Sequence, residues 1–450
     1  MEKEDLVRVE CEDINHRGMG IGRHKGLLLF IPGLIIGDIA DVEITEMKKN
    51  YAVGTIKKII KKSPYRIDSI CPVYDNCGGC SLLTLDYKKQ LAHKVQMAES
   101  AFSRIGHLAL KVDAIIGMDK PYRYRNKVQF AFKETNGKVI CGFYRRGAHE
   151  VISLEDCKIT PQRAVEITLY ITDLVNFYRL CVYDKSTKRG LLRSLMLRVN
   201  RKEEYMIVLI TKDKVIPHEK DITANLLQKF PDIKTIIQII TTDSKHEISS
   251  GKTKVLAGSG ILIDNLSGLL FVVSPQSFFQ INLYQTEKLY DKVLSYAQPQ
   301  STDIVVDAYC GVGTMTLLFA KHCRQLYGIE SMAAAINNAK ENATLNNITN
   351  VKFILGKAEE EINKLGSTID ILIVDPPRKG CDRKLLTSIT KQNIEKIVYV
   401  SCDMATLARD LVYLAPHYDI EGVTLVDMFP HTMHVECVVL MCASSEAGKC

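Results

Sequence analysis

The feature that most constrains the fold is a regular alternation of short apolar stretches with helical stretches after about residue 270. The apolar stretches include "DIVVD" (303–307), "QLYGIE" (325–330), "IDILIVD" (369–375) and "KIVYVS" (396–401). Near-continuous apolar strands that alternate with helices predict a parallel sheet covered on both faces. We therefore predict a doubly wound α/β domain over residues 266–450, with its ligand site at the carboxyl ends of the strands.

The first 62 residues form a module of a different kind. Apolar and polar residues alternate over short stretches, and glycines such as Gly18, Gly20 and Gly22 interrupt them. Short strands with frequent glycines predict a small OB-like β-barrel over residues 1–62. Lysines are dense between residues 48 and 62. This pattern suits contacts with nucleic-acid phosphates but is equally typical of a solvated surface.

Residues 63–265 mix strands and helices and are predicted to form a central α+β domain. Within it, "DYKKQLAHKVQMAESAFSRIG" (86–106) has the period of a helix that ends at Gly106. The stretch "YRYRNKVQFAF" (122–132) predicts a basic strand, in which Arg125 is a candidate for substrate contact.

Composition and the amino terminus restrict where the protein acts. The net charge of +7 suits a nucleic-acid partner without requiring one. The amino terminus "MEKEDLVRVE" is charged and no apolar stretch reaches the roughly 18 residues that span a bilayer. We therefore expect a cytoplasmic protein with no membrane partner, and we expect a monomer.

The stretch "VVDAYCGVGTMTL" predicts a nucleotide-like ligand. A strand leads into the turn of Gly311 and Gly313, and Glu330 ends the next strand about 20 residues later, where an acid typically binds a ribose. The third glycine of a dinucleotide fingerprint is replaced by Thr316. NAD and S-adenosylmethionine remain the candidates, and Asp307 with the looser glycine spacing favours S-adenosylmethionine.

The stretch "IVDPPRKG" separates these two candidates. Asp375, Pro376 and Pro377 follow directly on an apolar strand, and the two prolines fix the backbone into a rigid wall beside the ligand cleft. Dehydrogenases have no need of this element, whereas base-modifying methyltransferases use an Asx-Pro-Pro element that faces the target base. A plain β-turn is the alternative interpretation.

Two further residues are candidates for catalysis. Cys402 lies between a strand and a helix, and a helix amino terminus lowers the pKa of a thiol. Glu436 interrupts an apolar strand, which is unfavourable unless the carboxylate is paired or functional, and a carboxylate with a raised pKa suits a general base. A core cysteine and a water-facing glutamate are the alternatives.

Cysteines are unusually dense at one place. Cys71, Cys77 and Cys80 stand in the pattern C-x5-C-x2-C, whereas most other cysteines are single and lie in apolar stretches. Because a reducing cytosol disfavours disulfides, this group predicts metal or redox chemistry, for which a fourth ligand is needed.

Taken together, these motifs resemble those of the uracil-5 RNA methyltransferases. They are most similar to the branch that modifies 23S rRNA and carries a TRAM domain and an iron–sulfur cluster. The motifs are "GMGIGRHKGLLLFIPGLIIGDIADVEI", "SPQSFFQIN", "DAYCGVGT", "GIE", "DPPRKG", "SCDMATLARDL" and "HVE", in the order that the family has them.

This resemblance implies a class I, Rossmann-like methyltransferase domain that follows the TRAM barrel and the central domain. It implies an S-adenosylmethionine site formed by four residues: Gln280, Tyr309, Glu330 and Asp375. It also implies a [4Fe–4S] cluster bound by Cys71, Cys77, Cys80 and Cys157, although four thiolates suit zinc as well.

The resemblance further implies methylation of C5 of a uridine in 23S rRNA. Cys402 would attack C6 of the uracil, C5 would take the methyl group, and Glu436 would remove the C5 proton. The family often has Asn-Pro after this cysteine, whereas this chain has Asp403 and Met404, which predicts a weaker helix start or an altered contact to the base. The alternatives are tRNA 5-methyluridine formation, a non-catalytic RNA-binding protein and an electron-transfer protein.

Overall fold

The computed structural model describes residues 2–241, 248, 251–366, 368–392 and 394–444. Four β-sheets are present in this described part of the chain, and helices cover the faces of the largest one. None of the helices within these residues combines the length and the apolar character needed to cross a membrane.

The amino-terminal sheet has six strands in the order β1-β5-β6-β4-β3-β2. The strands are β1 (Leu6–Glu10), β2 (Asp13–Ile14), β3 (Met19–His24), β4 (Leu27–Pro32), β5 (Ile39–Met47) and β6 (Tyr51–Lys61). The sheet curls so that β3 approaches β1, where a Cβ atom on Gly22 would lie 2.2 Å from Cγ1 of Val9. Glycine therefore permits the close approach that makes this module barrel-like, as its sequence predicts.

The central sheet has seven strands in the order β10-β9-β8-β11-β12-β13-β14. Its elements are β8 (Lys127–Thr135), β9 (Lys138–Tyr144), β10 (Val151–Ser153), α2 (Gln162–Phe177), β11 (Leu192–Val199), β12 (Tyr205–Thr211), α3 (Glu219–Lys229), β13 (Ile233–Ile240) and β14 (Lys252–Gly258). The predicted basic strand begins five residues later than expected, at Lys127. The earlier residues cannot extend it, because Arg123 has a left-handed backbone with φ of 56°.

A hairpin of β15 (Leu262–Leu266) and β16 (Leu269–Val273) leads to the carboxyl-terminal sheet. That domain contains α4 (Leu283–Ala297), β17 (Ile304–Asp307), α5 (Thr314–Phe319), β18 (Gln325–Glu330), α6 (Ala333–Leu345), β19 (Val351–Leu355), α7 (Ala358–Glu361), β20 (Ile371–Val374), α8 (Arg383–Lys391), β21 (Lys396–Ser401), α9 (Met404–Leu414), β22 (Tyr418–Val426) and β23 (Glu436–Ala443). The predicted alternation of apolar strands with helices is therefore confirmed.

Two elements from the predicted central segment belong to this last domain: one is a strand that pairs with its sheet, and the other is a helix that packs in its core. They are α1 (Tyr87–Arg104) and β7 (Ala114–Ile116). The sheet has the order β19-β18-β17-β20-β21-β23-β22-β7, in which β7 pairs in parallel with β22 at the edge. Ala98 and Phe102 of α1 are fully buried in the same apolar core as Leu407 and Leu411 of α9. The boundaries at residues 62 and 265 remain predictions, and the segment between them contributes to two sheets.

Candidate active site

One cavity of about 1080 Å³ opens beside the carboxyl ends of the parallel strands, where the fold predicts a ligand site. All six residues that the sequence assigns to cofactor binding or catalysis line it. They are Gln280, Tyr309, Glu330, Asp375, Cys402 and Glu436. These residues are distributed over more than 150 positions of the chain, so their convergence is a property of the fold.

The glycine turn after β17 contributes Gly311 and Val312 to the lining of this cavity. Gly311 and Gly313 have left-handed backbones with φ of 54° and 82°, and a Cβ atom on Gly313 would lie 3.2 Å from the ring of Phe353. Thr316, which interrupts the dinucleotide fingerprint, donates a hydrogen bond of 2.6 Å from Oγ1 to the buried carboxylate of Asp307. The threonine therefore replaces a glycine with a side chain that anchors the turn.

Glu330 follows the pattern expected of an acid at the end of the second strand. Its Oε1 accepts hydrogen bonds from the backbone N–H of Met332 at 2.8 Å and from the Ser331 hydroxyl at 3.1 Å. These bonds fix the carboxylate of Glu330 at the wall of the cavity.

The Asp-Pro-Pro loop is held rigidly against α9. Thr406 donates a hydrogen bond to the carbonyl of Arg378 at 3.1 Å, and Arg409 donates one to the carbonyl of Lys379 at 2.9 Å. Asp410, which is fully buried, accepts the backbone N–H of Cys381 at 2.8 Å. The loop that carries Asp375 and the helix that begins beside Cys402 thus form one unit. The loop also contains a β-turn, in which the N–H of Gly380 donates to the carbonyl of Pro377 at 2.8 Å.

Strand direction brings Glu436 beside Cys402. Strand β23 lies between β21 and β22 and runs antiparallel to both, so its first residues lie at the carboxyl end of β21. Cys437 pairs with Ser401, which places Glu436 next to Cys402. Glu436 is only 6% exposed, so the alternative of a water-facing glutamate at a sheet edge is wrong.

The electrostatics of the pair differ from the sequence-based expectation. The amino terminus of a helix was expected to lower the pKa of Cys402, whereas burial and the carboxylates of Glu436 and Asp375 raise it to about 11. Arg378 acts in the opposite direction without reversing the result. Burial is also the main cause of the raised pKa of Glu436, with the Asp375 charge second.

The helix after Cys402 is well capped. Asp403 is the N-cap of α9, and its Oδ1 accepts the backbone N–H groups of Ala405 and Thr406, each at 3.0 Å. Because aspartate and asparagine are equally good N-caps, Asp403 does not weaken the helix start, and the prediction of a weaker start rests only on Met404 at the first helical position, where proline is favoured.

The four cysteines that the sequence groups together also converge. Cys71, Cys77, Cys80 and Cys157 line one cavity of about 40 Å³, together with Arg125. The backbone N–H of Gly79 donates to the sulfur of Cys77 at 3.4 Å, and the Thr160 hydroxyl donates to the sulfur of Cys157 at 3.1 Å. Among the residues that the structure describes, no group of three or more His, Cys, Asp and Glu side chains is arranged to hold a metal ion.

Comparison with known proteins identifies the family. The family model described as tRNA (uracil-5-)-methyltransferase matches residues 86–444, and that of the TRAM domain matches residues 5–57. The chain belongs to the tRNA (uracil-5-)-methyltransferase family. The predictions that this protein is an RNA-modifying enzyme and that it carries a TRAM module are thereby confirmed.

Relatives and a solved structure agree with this assignment. Proteins of Bacillus cereus and Clostridium tetani, both named "Uncharacterized RNA methyltransferase", are each 40% identical to the methyltransferase over 98% of its chain and 97% of theirs. The structure of Pyrococcus abyssi tRNA (uracil-54, C5)-methyltransferase in complex with S-adenosyl-L-homocysteine is 26% identical. It matches with a TM-score of 0.78 over 97% of this chain and 100% of that chain.

Sequence reasoning did not single out three further residues that line the cavity of the methyltransferase. They are Arg378, Phe429 and His434. Arg378 stands directly after the Asp-Pro-Pro element, and His434 stands two residues before Glu436, so their proximity to the two motifs was a usable signal. Phe429 lies in an irregular loop and carries no such signal.

Proposed function

We propose that the protein transfers a methyl group from S-adenosylmethionine to C5 of a uridine in 23S rRNA. The observation that carries the proposal is the single cavity that unites a thiol, a buried carboxylate and four residues suited to S-adenosylmethionine. When bound, this cofactor supplies an electrophilic methyl group on a positively charged sulfur. Gln280, Tyr309, Glu330 and Asp375 are the residues proposed to hold it.

Cys402 is proposed as the nucleophile. Addition of its sulfur to C6 of the uracil makes C5 electron-rich enough to accept a methyl group, which an unmodified uracil C5 is not. The thiol has a pKa raised to about 11 when the cavity contains only protein groups. Arg378 favours the thiolate, and a positive charge brought by the cofactor would act in the same direction.

Glu436 is proposed as the base that removes the C5 proton after methyl transfer. Its raised pKa makes it a stronger base than an ordinary carboxylate, and its position beside Cys402 places it against the same ring. As the proton leaves, the C5–C6 double bond forms again and the bond between C6 and the Cys402 sulfur breaks, with its electron pair returning to sulfur. A base in an RNA helix must be unstacked to reach this cavity.

The cysteine cavity is proposed to bind a [4Fe–4S] cluster. The uneven C-x5-C-x2-C spacing differs from the paired C-x2-C pattern of zinc sites, which supports an iron–sulfur cluster over zinc. The donors at Cys77 and Cys157 suit sulfurs that carry negative charge. Cys71, Cys77, Cys80 and Cys157 would be the ligands, and Arg125 would face the cluster.

A tRNA is the second candidate substrate. Because the Pyrococcus abyssi structure covers nearly the whole chain, the overall architecture is compatible with either RNA. What supports 23S rRNA is the resemblance of the motifs to the 23S rRNA branch; the TRAM segment does not discriminate, because the Pyrococcus abyssi tRNA enzyme aligns over 97% of this chain. The lysines at the end of the TRAM module, including Lys58 and Lys61, are exposed and available for phosphate contacts.

Incubation with radiolabelled S-adenosylmethionine tests the proposal. Unmodified 23S rRNA and unmodified tRNA are offered separately, and the label is measured in 5-methyluridine after digestion. We expect label in 23S rRNA and none with Cys402→Ala. Label in tRNA alone would transfer the assignment to the second candidate, and no label in either RNA would contradict the proposed activity.

A further inference from the structure

The loop between β22 and β23, residues 427–435, shapes one wall of the cavity. It contributes Phe429 and His434 directly, and it ends at Glu436. These nine residues make no strand, and His431 within them is fully buried with a left-handed backbone at φ of 67°. The conformation of the loop therefore depends on contacts from outside the sheet.

Gln90 on α1 supplies one such contact. Its Oε1 accepts the backbone N–H of His431 at 3.0 Å, and its Nε2 lies 3.2 Å from Nδ1 of the same histidine. The same Nε2 group is placed to donate to the carbonyls of Leu82 and Leu85, at 3.0 and 2.7 Å. One fully buried amide thus fastens the loop to the helix and to the segment that follows Cys80.

Lys94, one turn further along α1, supplies a second contact. Its ammonium group donates to the carboxylate of Asp427 at 2.6 Å and to the carbonyl of Phe429 at 3.3 Å. Lys94 and Asp427 are both 0% exposed. Tyr87, on the preceding turn, donates its hydroxyl to the other oxygen of Asp427 at 2.7 Å.

Burial of an amide and of charged groups on a helix face costs desolvation free energy. A buried amide and a buried ion pair contribute little net stability compared with apolar side chains of the same size. Their hydrogen bonds instead favour one conformation of the loop, because any other conformation would leave buried polar groups without their partners. Two such residues on one face of α1 therefore select a loop conformation.

We propose that Gln90 and Lys94 are positioning residues for the reaction, which hold the loop 427–435 so that Glu436 reaches the C5 proton of the bound uracil. The inference rests on the proposed function, in which Glu436 is the base. It assigns to α1 a role in the second half of the reaction, after the methyl group has been transferred. The effect is assigned to proton removal because the loop leads directly into Glu436.

The prediction is a delay in release of the covalent adduct. In Gln90→Leu, methyl transfer proceeds, but proton removal from C5 slows and the bond between Cys402 and C6 persists. We expect kcat to fall by roughly tenfold to a hundredfold, which is less than the roughly 10²- to 10⁴-fold that a general base contributes, because Glu436 itself is retained. KM for RNA and the affinity for S-adenosylhomocysteine should change by less than about twofold, because a loss confined to the step after methyl transfer leaves ground-state binding intact.

The experiment compares four proteins in single-turnover reactions with the RNA that the wild type methylates. They are the wild type, Gln90→Leu, Glu436→Gln and Gln96→Leu, the last being the same substitution at an exposed position of α1. The fraction of protein covalently joined to RNA is measured by denaturing electrophoresis. Gln90→Leu should accumulate adduct as Glu436→Gln does, and Gln96→Leu should behave as the wild type.

The outcomes separate this inference from the proposed function. If Glu436→Gln accumulates adduct while Gln90→Leu does not, the positioning role is wrong and the proposed base is retained. If no adduct accumulates in Glu436→Gln, the proposed base itself is wrong, and the positioning role with it. Should Gln90→Leu fail to fold, Lys94→Gln, which removes the ion pair with Asp427 but keeps a polar side chain, replaces it, and an adduct fraction equal to that of the wild type would overturn the inference.

Discussion

Neutralising Glu436 should make Cys402 more reactive towards a small alkylating reagent, although it disables the proposed base. The carboxylate of Glu436 raises the pKa of Cys402, so Glu436→Gln removes one of the causes that keep the thiol protonated. The substitution thus makes the Cys402 thiol more reactive but removes the proposed base. Only the change in thiol reactivity is measured when no RNA is present.

The size of the effect follows from the order of the causes. The pKa of Cys402 rises from an ordinary value of 9.0 to about 11, burial is the largest cause and Glu436 is the second. Because burial is the larger cause, removal of the Glu436 charge lowers the pKa of Cys402 without restoring its ordinary value. Below the pKa of the thiol, the thiolate fraction, and with it the alkylation rate, should increase by roughly threefold to tenfold.

The assay is alkylation by iodoacetamide between pH 8 and pH 10, with the peptide that contains Cys402 quantified by mass spectrometry. Glu359→Gln is the matched control, because Glu359 lines the same cavity and is not among the groups that shift the Cys402 thiol. An alkylation rate in Glu436→Gln that equals or falls below the wild-type rate would refute the electrostatic coupling between the two residues.

Three further predictions concern the surroundings of this site. Asp403→Ala should destabilise α9 by about 1 kcal/mol and slow adduct formation, whereas Asp403→Asn should retain wild-type behaviour in urea unfolding and single-turnover assays. Gly380→Ala should lower the melting temperature and the methylation rate, because φ is 77° and the new Cβ would lie 2.5 Å from Arg409; unchanged values would contradict the strain. Cys157→Ser should lower bound iron and visible absorbance in anaerobically purified protein, while the exposed Cys181→Ser serves as the unaffected control. Equal iron in both would contradict the proposed cluster.

The pH dependence of methylation has a defined sign. The raised pKa of Glu436 means that the ionised base is lost as pH falls through that raised value, at a higher pH than for an ordinary glutamate. Activity limited by proton removal should therefore rise with pH across the neutral range. A rate that is already independent of pH from pH 5 upwards would contradict a raised pKa in the working enzyme.

The sequence by itself determined the parallel sheet and the ends of its strands. Apolar strands, the turn at Gly311 and Gly313 and the break at Asp375 are local patterns, and the backbone rules that they obey need no knowledge of distant residues. For the same reason the sequence located α1 correctly between Asp86 and Gly106. Local patterns also singled out Glu330, Asp375, Cys402 and Glu436, whereas Gln280 and Tyr309 followed only from the resemblance to the family; the fold brings all six to one cavity.

Only the tertiary structure decided which of these residues face each other and in what charge state. The register of β23 against β21 places Glu436 beside Cys402, and that register depends on two strands separated by more than thirty residues. The raised pKa of Cys402 is due to burial and to the neighbouring carboxylates of Glu436 and Asp375, which the local sequence around Cys402 does not reveal. The attachment of α1 and β7 to the last sheet likewise rests on long-range pairing, because the local sequence of a helix does not specify the surface against which it packs.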